Sequence, residues 1–195
     1  MSRIFLAYTV FLTCLLGKAQ IPDINDPALH PNLVNKTQVD SLNGKPIDFY
    51  LNNSQIDQYS KMLYLGKFAV SDDNLTLGIL DSLDSDNSET RPFYFFVAHQ
   101  ILTTSDGALS EVLGFYTLDY LTSYPCEFFR WSTELNFEIR LWYYLSAYDM
   151  YFANNPGEVQ KQTNSTIRAL IQSCPEYETN AEFIINKMDE VLSQK

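Results

Sequence analysis

The sequence predicts an all-α protein, a compact body of six to eight helices. Three observations carry this. From Asn53 onward apolar residues recur every three to four positions, the period of a helix with one buried face. No stretch shows sustained alternation between turn signals, as a half-buried strand would. Pro92 stands at the head of an apolar run, where a missing N–H costs a helix nothing, and prolines 125 and 156 punctuate the helical segments beyond it.

The chain begins MSRIFLAYTVFLTCLLGKAQ. Arg3 gives a short basic start, Ile4 to Leu16 an apolar run, and Gly17-Lys18-Ala19 small residues at the positions read by a signal peptidase. Residues 1–19 read as a secretory signal cleaved after Ala19, because the run falls short of the roughly twenty residues that span a bilayer. Cys14 lies inside this run and continues into Leu15-Leu16, which favours an ordinary signal core over a lipid-anchor site. The mature protein is expected in the periplasm or outside the cell, with no membrane insertion.

Residues 20–50 read as an irregular N-terminal arm. Prolines 22, 27, 31 and 46 interrupt it, and "LNGKP" is a turn signal. Residues 51–195 form the single helical domain. The first helix runs through "SQIDQYSKMLYLGKFAV", capped by Ser54, with Ile56, Tyr59, Met62, Leu63 and Leu65 at helical spacing. "SDDNLTLGILDSL" is the second, capped by Ser71 or Asp72. "DSLDSDNSETRP" is an acidic loop. Pro92 then opens "PFYFFVAHQILTT", apolar nearly all round and therefore central.

"SDGALSEVLGFYTLDYLTSY" is the next helix, followed by a short one in "PCEFFRW". Ser132 or Thr133 caps the long segment "ELNFEIRLWYYLSAYDMYFANN", which Asn154-Asn155-Pro156-Gly157 ends. Two more helices follow, in "GEVQKQTNSTIRALIQSC" and "PEYETNAEFIINKMDEVLSQK". The proline spacings of 33 and 31 are those of stacked α-hairpins of the tetratricopeptide or HEAT kind. The small-residue positions of tetratricopeptides are missing, so a closed bundle is the other arrangement.

Without its signal the chain holds 24 acidic against 11 basic residues. That balance excludes nucleic acid, which needs a basic footprint, and it suits a basic protein partner. Cys126 and Cys174 both neighbour prolines at helix ends. In an oxidising compartment such a pair reads as a disulfide, and closing this loop stabilises the fold by about 4 kcal/mol in the chain-entropy picture. The competing reading, Cys126 as a nucleophile, needs a histidine, and only His30 and His99 exist.

Chemistry-bearing motifs are scarce. Asp81, Asp84, Asp86 and Glu89 resemble a calcium loop in spacing, but Glu89 and Phe95 stand where an EF-hand needs glycine and glutamate. No phosphate cradle, nucleophile elbow or zinc motif is present, so no cofactor, metal site or catalytic residue is assigned. Glu134 and Glu138, four apart, would share a helix face and could act as a carboxylate pair in a small hydrolase. Aromatic residues make up 14% of the chain. Most are expected in the core. Trp142 and Tyr143 are expected to spread outward and, with Asp81, Asp84, Asp86 and Glu89, to meet a partner. Four Asn-X-Ser/Thr triplets are read as chance.

The expectation is an exported acidic helical protein that acts by binding another protein, as an inhibitor, an immunity-type partner or an envelope adaptor. A small hydrolase, or a carrier of an apolar small molecule between aromatic-lined helices, is the alternative.

Overall fold

The computed structural model describes residues 38–105 and 107–194. The signal segment, His30 and most of the expected arm lie outside these residues. Within them the chain is all-α, with nine α-helices, three short 3-10 turns and one two-stranded ladder.

The end of the expected arm is not irregular. Strands β1 (Ser41–Leu42) and β2 (Lys45–Pro46) pair antiparallel across Asn43-Gly44. Both turn residues have positive φ, 49° and 71°, the conformation that Asn-Gly adopts at low cost in a tight hairpin. Helix α1 (Ile47–Leu51) follows at once. Leu42 and Tyr50 are buried, and the Tyr50 hydroxyl donates to the Leu42 carbonyl at 3.0 Å. Residues 38–50 therefore belong to the body, because the hairpin turns two apolar side chains into the core.

Helix α2 (Gln58–Tyr64) starts later than its periodicity suggests. Asp57 rather than Ser54 caps it, its carboxylate accepting from the Ser60 N–H at 2.9 Å, and Gly66 at φ 67° ends it. Asp73 likewise caps α3 (Asn74–Asp81). Helix α4 (Arg91–Thr104) is central as expected, with eleven of its residues buried. Its first residue is pinned: Arg91 donates to both carboxylate oxygens of Glu127 at 2.8 Å and to the Ser85 carbonyl at 2.6 Å.

Helices α5 (Gly107–Ser123) and α7 (Arg140–Phe152) run antiparallel. Tyr120 meets Trp142 at 5.8 Å between ring centroids, and Gly114 meets Asp149. At that crossing a Cβ on Gly114 would lie 2.8 Å from the Leu145 carbonyl oxygen, so the close approach requires glycine. In a hairpin stack these two alternate helices would run parallel, so the body is a bundle.

The largest departure lies between α6 (Pro125–Leu135) and α7. A short helix ending before Ser132 and a long one running on from Glu134 were expected here. Instead Asn136 adopts the left-handed conformation at φ 51°. Its N–H donates to the Thr133 carbonyl and that of Phe137 to the Ser132 carbonyl, which satisfies the helix end. The break turns Phe137 inward, where its ring lies 3.7 Å from that of His99 and nearly parallel to it. Helices α8 (Pro156–Leu170) and α9 (Glu178–Ser193) complete the chain. Between them Cys174 forms the disulfide with Cys126, the Cα atoms 5.9 Å apart.

Candidate functional site

The end of α3 carries Asp81, and the following 3-10 turn, Ser82–Asp84, ends on Asp84. Carboxylates here face the negative end of the helix dipole, where lysine or arginine would be favourable, and the last turn of α3 has no basic residue. Opposite them α5 presents Tyr116, Asp119 and Tyr120, spaced i, i+3 and i+4 on one face. Together with Leu80, Leu83 and Phe115 these groups line a pocket of about 160 Å³.

Its electrostatics are one-signed. The Tyr116 hydroxyl donates to Asp81 Oδ1 at 2.8 Å, and burial followed by that carboxylate pushes its pKa up to about 12. Asp119 is held above the usual carboxylate range, first by burial and then by the charge of Asp84. A carboxylate held high by burial and a neighbouring negative charge gains from an incoming cation. Asp119 and Tyr116 had no place among the residues expected to bind. Their spacing on α5 was visible, but which face of α5 meets the acidic loop was not.

The expected binding residues separate. Asp81 and Asp84 reach this pocket. Glu89 does not: it pairs with Lys45 Nζ at 2.6 Å, on the side of the hairpin. Asp86 is exposed on the loop between. Trp142 is a correction. It is 0% exposed, its Nε1–H donates to His99 Nδ1 at 3.2 Å, and it stacks on Phe95. The break at Asn136 resets the angular position of α7, so Trp142 points into the core. Tyr143 is half-buried, edge-on to Phe183. The outward face of α7 holds Tyr144, Tyr148, Tyr151 and Phe152 instead.

The two hydrolytic arrangements also fail on geometry. Glu134 lies in the last turn of α6 and Glu138 in the loop beyond the break, accepting from the Arg140 N–H at 3.0 Å, so they share no helix face. Cys126 is bonded to Cys174, and His99 stacks on Phe137 with Nδ1 occupied by Trp142. Burial holds the His99 pKa down to about 3, so it stays neutral. Among the described residues, no group of three His, Cys, Asp or Glu side chains is arranged to hold a metal ion, and no helix is long and apolar enough to cross a membrane.

Comparison with protein-family models, curated proteins and solved structures finds no match to this chain.

Proposed function

We propose that this is an exported protein that acts by binding a basic partner protein. One observation carries the reading, the segregation of charge. Between Val70 and Phe129 ten acidic residues stand against a single cation, Arg91, and Arg91 is spent on Glu127 inside the fold. Apart from Glu89, which pairs with Lys45 of the hairpin, the surface built by α3, the acidic loop and α5 therefore offers an excess of carboxylates over cations. Such a field steers an oppositely charged partner and loses strength with salt. The apolar leader and the disulfide fit a protein that works outside the reducing cytoplasm.

The test is affinity capture from an envelope extract of the native host at low and at high salt. One basic protein recovered near stoichiometry at low salt, and lost at high salt, is the expected result. Capture of no basic protein at either salt would remove the reading.

A further inference from the structure

The pocket between the end of α3 and α5 combines two kinds of wall. Phe115 and Tyr116 stand edge to face, their ring centroids 5.4 Å apart and their planes at 79°, so they form an aromatic corner. Tyr120, 1% exposed, closes it from behind with the buried Leu80 and Leu83. The carboxylates of Asp81, Asp84 and Asp119 complete the lining. The volume of about 160 Å³ is smaller than the roughly 300–1,000 Å³ of pockets that take drug-sized ligands. It suits one side chain.

Both walls call for the same occupant. The face of an aromatic ring attracts a cation, and rings beside carboxylates are how ammonium groups are recognised. The Tyr116 hydroxyl donates to Asp81 Oδ1 at 2.8 Å and fixes that carboxylate at the exposed rim. Asp119 is half-buried, and among the described residues no salt bridge includes Asp81, Asp84 or Asp119. Neither α3, the turn after it nor α5 contains a lysine or arginine to answer them. The charge of Asp84 adds to burial in raising the Asp119 pKa, a like-charge cost that a cation relieves. Among the described residues these carboxylates are not arranged to hold a metal ion. An ammonium group on an apolar stem meets the rings and the acids together.

We propose that this pocket seats the side chain of a single lysine of the partner protein. The stem runs past Leu80 and Leu83, and the ammonium group lies between the aromatic corner and Asp119, with Asp81 and Asp84 at the rim. The proposal rests on the basic-partner reading and adds which residue the partner inserts and where it enters.

The probe is lysine capped as its acetyl methylamide, titrated into the purified protein at low salt by backbone-amide NMR. One control is the same compound acetylated on Nζ, which keeps the stem and loses the charge. The other is n-butylammonium, a free amine with the same stem. Capped lysine should shift residues 80–84 and 115–120 alone, and the acetylated compound should bind at least about tenfold more weakly. Asp119→Asn should weaken capped lysine about tenfold without lowering the melting temperature, because it removes a charge that Asp84 repels. Phe115→Leu keeps an apolar side chain but loses the ring face, and should weaken binding about threefold. No shifts, shifts centred elsewhere, undiminished binding in either variant, or equal binding of the acetylated compound overturns the proposal. So does n-butylammonium binding more tightly than capped lysine, which would make a free amine the ligand. The two readings separate in the capture experiment. If wild type and Asp119→Asn recover the same basic protein equally at low salt, the pocket falls and the basic-partner reading stands. If wild type recovers none, both fall.

Discussion

Phe95 and Phe152 are the same residue in opposite settings. Around Phe95 the rings of Tyr120, Phe128, Trp131, Phe137 and Trp142 close in, all between 5.1 and 6.0 Å. They come from three helices and the loop at Asn136. Around Phe152 the rings of Tyr148 and Tyr151 come from its own helix alone. The first cluster joins elements distant in sequence and so holds the fold together. The ring contacts of the second stay within one helix, and Phe152 remains 61% exposed at the surface.

Mutations can break this contrast at either end. Phe95→Ala removes a fully buried ring from the centre of the cluster and should cost about 3–5 kcal/mol in chemical denaturation. A loss below about 1 kcal/mol would mean that the cluster does not carry the fold.

The next effect is smaller and depends on pH. Trp142 needs His99 neutral, since its N–H donates to His99 Nδ1. Burial lowers the His99 pKa from 6.5 to about 3. Between those values the unfolded chain binds a proton that the native protein refuses, so stability is full above pH 6.5 and falls as pH drops toward 3. The slope from this group is at most about 1.4 kcal/mol per pH unit. Denaturation series at pH 7, 5 and 4 should show wild type losing more stability than His99→Phe. Equal losses would sink the assignment. At the other end of the contrast, Phe152→Ser should change stability by no more than about 0.5 kcal/mol. A larger destabilisation would show that the outer rings serve the fold after all.

How far the sequence could be read follows the range of the interactions. Pro92, Pro125 and Pro156 each fall in the first turn of a helix, and the all-round apolar character of α4 placed it at the centre. Both signals are local or averaged over a whole helix. The break at Asn136 was missed because "TELNFEIR" keeps helical periodicity across it. An asparagine in the left-handed region is one of several conformations open to it, and here the inward turn of Phe137 onto His99 selects it. That one residue moved Trp142 inward, left the outward face of α7 to Tyr144, Tyr148, Tyr151 and Phe152, and parted Glu134 from Glu138. The sequence did name Tyr144, Tyr148, Tyr151 and Phe152 as a stripe, but periodicity gives a stripe without saying which way it faces.

By itself, then, the sequence determined the helical class, most helix starts, the excess of acid and the partnership of Cys126 with Cys174, because each depends on nearest neighbours, on composition or on the choice between two cysteines. Tertiary structure alone decided that α5 and α7 run antiparallel, that Gly114 brings them into contact, and that Asp119 joins Asp81 and Asp84. Those outcomes depend on how helix faces are rotated against one another. That rotation is set by packing the whole core at once, and no local stretch of chain contains it.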